Sequence, residues 1–110
     1  MNKNKKTKFK IGNLSWTAEI VKSESAELKD GALLGICRIY EKRICITEDV
    51  DKELGNRLII HELTHAFIET YKIKKTKYSE EDVCHLIEVH LQEIAKLSNQ
   101  VTTALYKVKK

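Results

Sequence analysis

Residues 58–68 read LIIHELTHAFI and contain the pattern on which the interpretation of this chain depends. His61 and His65 are four positions apart, so on an α-helix they lie on one face, one turn apart. Two imidazoles placed in this way can both bind one Zn²⁺ ion. Glu62 follows about 100° around the helix and lies beside the metal rather than on it. The segment therefore predicts a zinc site in which Glu62 is the general base for a zinc-activated water.

The surroundings of this motif are apolar. Apart from Thr64 and the motif residues, every position from 58 to 68 is hydrophobic, on all sides of the helix, which predicts a buried helix. Burying imidazoles and a carboxylate costs free energy unless a partner satisfies them, and a divalent cation is such a partner. The alternative is an internal cluster of hydrogen-bonded histidine and glutamate side chains without a metal.

A third zinc ligand has to come from another element. The longer pattern HExxHxxGxxH is excluded because positions 68 and 71 are isoleucine and tyrosine. The next predicted helix begins with SEEDVCH at 79–85, where Glu80 falls on the predicted inward face and Glu81 at its edge. We therefore expect Glu80 to be the third ligand, with Glu81 as the alternative. Both carboxylates would also suit the exposed first turn of a helix.

Several other residues are weaker candidates for a site. Tyr71 and Tyr78 lie at either end of a lysine-rich connection, and a phenol from either, or a histidine, could stabilise an oxyanion. His85 is expected to be exposed, and His90 is expected to be a core histidine. The three cysteines form no CxxC pair and are expected to be reduced thiols in the core.

The fold is predicted by working outward from the motif. The sequence before it indicates a strand over 14–21 and a hairpin within 34–47. The motif helix is predicted from near residue 51 to 71, and a last helix from 80 to about 97 or beyond, with a capping box at its start. This is an α+β domain with an N-terminal antiparallel strand and hairpin region, a buried HExxH helix and a second long helix.

Composition limits the class of protein. The 110 residues suffice for one domain, expected over 11–104 between basic tails at 1–10 and 105–110. The two tails hold eight of the 20 lysines and arginines, so the remaining 12 face 16 acidic residues. We therefore expect nucleic-acid contacts, if any, to be weak and confined to the tails. No apolar run reaches the ~20 residues of a membrane span, and reduced cysteines indicate a cytoplasmic protein.

Three segments together resemble a known family. RICIT at 43–47, LIIHELTHAF at 58–67 and EEDVC at 80–84 resemble small phage- and mobile-element-associated zincins related to the ImmA/IrrE metallo-endopeptidases. The resemblance covers residues 35–93, and HExxH is its specific motif. It implies that the two motif histidines and Glu80 (or Glu81) bind zinc and that Glu62 activates water. It also implies that an edge strand, here residues 43–47, holds an extended substrate.

The sequence thus predicts a zinc-dependent hydrolase, namely a small metallopeptidase with a peptide or protein substrate. The alternative is a non-catalytic, zinc-stabilised binding or regulatory protein of phage or mobile-element origin. A catalytic zinc keeps an open coordination position, whereas a structural zinc is closed by four protein ligands. A fourth protein ligand such as His90 or Cys84 would therefore favour the binding protein.

Overall fold

The protein is an α+β domain, as predicted. The computed structural model describes residues 5–73 and 75–107. Within these residues a four-stranded sheet precedes two helices, with one 3₁₀ turn at Ala26–Leu28. The elements are β1 (Lys6–Ile11), β2 (Leu14–Val21), β3 (Gly35–Arg38), β4 (Arg43–Thr47), α1 (Lys52–Thr70) and α2 (Glu80–Leu105). Neither helix has a stretch long and apolar enough to cross a membrane.

The sheet is mixed and has the strand order β1-β2-β4-β3. The hairpins β1–β2 and β3–β4 are antiparallel, whereas β2 and β4 run parallel. Because β4 pairs on both sides, the prediction that residues 43–47 form an edge strand is wrong. The four side chains from Ile44 to Thr47 are completely buried on both faces of the sheet, as is typical of a central strand. The edge strand on this side of the sheet is β3.

The first strand includes residues that were expected in a basic tail. Lys6–Lys10 belong to β1, where Phe9 lies opposite Trp16 of β2 and is buried. Phe9 and Ile11 alternate with three exposed lysines, which is the period of a half-buried strand. Part of the basic charge therefore lies on the folded sheet. Leu105 is the last residue of α2 and is completely buried, so the predicted C-terminal tail starts too early. Residues 1–4 and 108–110 of the predicted tails lie outside the described residues.

The two helices begin where the sequence predicts. The Asp51 side chain accepts a hydrogen bond from the Leu54 amide at 2.9 Å, which caps α1. Ser79 and Asp82 form the capping box that starts α2. Both helices cover one face of the sheet, α1 over β3 and β4, and α2 over β1. The core between the layers includes Ile11, Ala18, Ile44, Ile46, Ile59, Leu63, Phe67, Val101 and Leu105.

Candidate metal centre

Helix α1 is buried on one side only. Ile59, Leu63 and Phe67 are completely buried in the core, whereas His61 and His65 are exposed. The prediction of a helix buried all round is therefore wrong. Helix α1 packs on the two strands at one side of the sheet and has α2 as its only helical neighbour among the described residues. Its outer face consequently stays open despite its apolar side chains.

The three motif residues line one cavity at the β3 edge. His61, Glu62 and His65 form one wall of a cavity of about 280 Å³. The opposite wall consists of β3 and the residue that follows it, with Gly35, Ile36, Cys37 and Ile39 in the lining. The two imidazole rings have centroids 5.0 Å apart and planes inclined by 72°. The structure thus brings the predicted histidine pair and the predicted base together next to an edge strand.

Glu62 is the buried member of the motif. Its side chain is only 6% exposed, and no described residue donates a hydrogen bond to its carboxylate. Burial raises the pKa of Glu62, and the neighbouring His61 partly opposes this effect. A carboxylate whose pKa is raised towards neutrality is the group that a general base requires.

The lowered pKa of His65 suits metal binding. Although much of the His65 side chain is exposed, its partial burial, and then the neighbouring His61, lower its pKa. A lower pKa favours the neutral imidazole, which is the form that coordinates metals. The donor chemistry of the two histidines, one helical turn apart at a cavity mouth, therefore fits two ligands of a zinc ion.

The predicted third ligand lies elsewhere. Asn56 near the start of α1 donates to Thr102 near the end of α2, and Tyr71 at the end of α1 stacks on His90, so the helices are antiparallel. Glu80 lies ten residues before His90, about 15 Å further along α2 and away from the motif. Neither Glu80 nor the adjacent Glu81 is near the histidine pair in this arrangement, and both are exposed.

The described residues contain no cluster of three or more histidine, cysteine, aspartate or glutamate side chains placed to hold a metal. Residues 1–4, 74 and 108–110 consist of methionine, asparagine, lysine and valine, and so add no residue of these four types. Glu80 or Glu81 could therefore bind the same metal only if α2 were placed differently against α1, or if the glutamate came from a second chain. The assignment of Glu80 or Glu81 stays a prediction.

The other predicted site residues do not line the cavity. Tyr71 stacks on His90 with ring centroids 4.8 Å apart, about 9 Å of helix beyond His65. The Tyr78 hydroxyl donates to the Ile73 carbonyl oxygen at 3.0 Å. His90 is half-buried against Tyr71 and Phe67, whereas His85 is exposed, as expected.

Two residues of β3 belong to the site although sequence reasoning did not select them. A Cβ at Gly35 would lie 3.2 Å from Oε2 of Glu62 and 3.1 Å from Cδ1 of Ile46, so a larger residue would require one of these side chains to shift by a few tenths of an ångström. Burial, with Glu62 and Glu69 nearby, raises the pKa of the Cys37 thiol to about 12. The only sequence signal was a lone glycine at the start of a predicted strand.

The cysteines differ from the prediction that all three are core residues. Cys45 is completely buried on the outer face of the sheet, Cys37 is half-buried at the cavity, and Cys84 is exposed. Cys84 is exposed because no described element covers the first half of α2, on which it lies.

No family model matches this chain, and no curated protein or solved structure is significantly similar to it. The resemblance to the ImmA/IrrE-type zincins accordingly rests on the sequence motifs alone.

Proposed function

We propose that this protein is a zinc-dependent hydrolase, and more specifically a small metallopeptidase. The observation that carries the proposal is the placement of Glu62. Glu62 is only 6% exposed and lines the same cavity as two adjacent imidazoles. A carboxylate whose pKa is raised by burial, next to two histidines in a cavity, is typical of a functional site.

The neighbouring edge strand favours a peptide as the substrate. Strand β3 pairs with β4 on one side, and no described strand pairs with its other side. Backbone groups along this free edge can pair with an extended peptide, as in other cases of strand addition. A peptide bound in this way would pass the cavity that Glu62 lines.

The roles of the chain's own groups follow from this geometry. His61 and His65 would hold the metal, and Glu62 would accept a proton from the attacking water and deliver it to the leaving amine. A bound zinc ion would supply Lewis-acid polarisation of the scissile carbonyl and a water of lowered pKa. Burial raises the pKa of Glu62, which favours its acting as a proton acceptor.

The test is the Glu62→Gln variant, assayed against a peptide library with mass-spectrometric detection in the presence of zinc. Loss of the general base should lower the cleavage rate by a factor of about 10²–10⁴, with zinc content and melting temperature nearly unchanged. Glu53→Gln is the matched control, because it makes the same change on the same helix at an exposed residue that does not line the cavity. Equal rates for wild type and Glu62→Gln would refute the proposal.

The alternative is a non-catalytic, zinc-stabilised binding protein, whose zinc would have to be closed by four protein ligands, whereas no group of three or more ligand side chains lies together among the described residues. A zinc-stabilised binding protein should lose stability when a chelator removes zinc, and its wild-type form should cleave no library peptide. Glu62→Gln would then change metal affinity or the melting temperature instead of a rate.

A further inference from the structure

An apolar stripe runs along helix α2, and only the part of the stripe in the second half of the helix is buried. The face that packs on the sheet contains Ile94, Leu97, Val101 and Leu105. At helical spacing the same stripe continues towards the start of α2 with Val83, Ile87 and Leu91. These three side chains are 44%, 49% and 53% exposed.

The exposed half projects past the end of α1. Because Tyr71, the residue after α1, stacks on His90, the ten residues of α2 before His90 extend about 15 Å beyond its partner helix. The projecting end is held by the capping box and by a salt bridge from Lys75 to Asp82 at 2.6 Å. The stripe is therefore presented on a capped helix and not on a frayed end.

The stripe has an acidic border. Residues 80–95 include five carboxylates and no lysine or arginine. At 100° per residue, Glu81 and Glu88 flank one side of the stripe, Glu93 flanks the other, and Glu80 closes its end. All four of these side chains are exposed. An apolar stripe between carboxylates is complementary to a helix with an apolar face between lysines or arginines.

We propose that the first half of α2 docks a cationic amphipathic helix of a partner protein. Val83, Ile87 and Leu91 supply anchor positions one turn apart, which is the spacing used when a helix lies along an apolar surface. The acidic border selects the sign of the partner's charge. A second copy of this chain would bring the same carboxylates face to face, which opposes self-association through this stripe.

The probe is a fluorescent 18-residue peptide of leucine and lysine in amphipathic order, titrated with the full chain and followed by anisotropy. We expect saturable 1:1 binding that weakens as salt is raised. Ile87→Asp should weaken binding about tenfold or more, because it places a charge in the centre of the stripe. Val89→Asp is the matched control, since Val89 is 52% exposed but lies on another side of the helix, and it should bind as the wild type does.

Charge reversal tests the border separately. Glu81→Lys with Glu88→Lys should weaken binding and flatten its salt dependence, whereas Glu24→Lys with Glu48→Lys, at exposed sites away from α2, should change little. Circular dichroism establishes that each variant is folded. The proposal is overturned if Ile87→Asp and Val89→Asp weaken binding equally, or if a leucine–glutamate peptide binds as tightly. It is also overturned if the wild type forms a dimer that Ile87→Asp dissociates.

Discussion

At the scale of single residues, the candidate site depends on how closely a strand backbone approaches a carboxylate. Gly35 and Glu62 are 27 positions apart in the chain, and their proximity arises from the packing of α1 on β3. The residues His61, Glu62 and His65 could be predicted because their spacing is local to one helix. Gly35 and Cys37 could not, since no local pattern records a contact between separate elements.

Substituting Gly35 tests this approach. Alanine, and more strongly valine, should crowd Oε2 of Glu62 and lower the peptide-cleavage rate in the order glycine, alanine, valine, by about tenfold or more for valine. Valine has a higher strand propensity than glycine and would by itself raise the melting temperature. A lower melting temperature for Gly35→Val would therefore indicate steric crowding by the added side chain. Wild-type cleavage and a raised melting temperature for Gly35→Val would contradict the assigned contact.

At the scale of elements, local patterns predicted the type of each helix and of three strands. The strand β2, the β3–β4 hairpin and both helix starts lie where propensity and capping place them. Strand β1 was missed because its lysines dominate the composition of residues 1–10, although Phe9 and Ile11 alternate with them. The prediction that residues 43–47 form the edge strand is wrong because strand order depends on pairing between distant segments. The sequence of a single strand does not encode this pairing.

Glu27, in the 3₁₀ turn, leads to a prediction about how the stability of the fold depends on pH. Glu27 accepts hydrogen bonds from Arg43 at 2.8 Å and from the Cys45 thiol at 3.1 Å, which hold its pKa below the ordinary 4.5. Because the folded pKa is lower than the unfolded one, the stabilisation is complete above pH 4.5 and is lost as the pH falls through the folded pKa.

Urea unfolding of wild type and Glu27→Gln between pH 7 and pH 3 measures this effect. The wild type should be more stable by about 1 kcal/mol or less at neutral pH, since the carboxylate is partly screened by solvent. The difference should shrink below pH 4.5. Glu24→Gln is the matched control, because Glu24 is a neighbouring exposed carboxylate that accepts a hydrogen bond from Ser23 and none from Arg43. A difference that stays constant to pH 3 would contradict the assigned role of Glu27.

At the scale of the whole molecule, the position of α1 on the sheet turns a local motif into a surface site. A small sheet with two helices on one face leaves the outer side of α1 open, so both imidazoles face a cavity mouth. The α+β class could be predicted from the order of elements in the sequence. The open outer face of α1 could not, because it depends on how the helices pack on the sheet. His61 and His65 lie together in this arrangement, whereas Glu80 and Glu81 do not, and zinc binding by any of them stays a prediction.

The central claim is that His61 and His65 bind zinc, and zinc titration against a chromophoric chelator, with elemental analysis after gel filtration, tests it most directly. We predict one zinc per chain for the wild type and for the control His85→Ala, which removes an exposed histidine outside the cavity. The double variant His61→Ala, His65→Ala should remain folded by circular dichroism and bind no zinc above background. Undiminished zinc in the folded double variant, or no zinc in the wild type, would contradict the account.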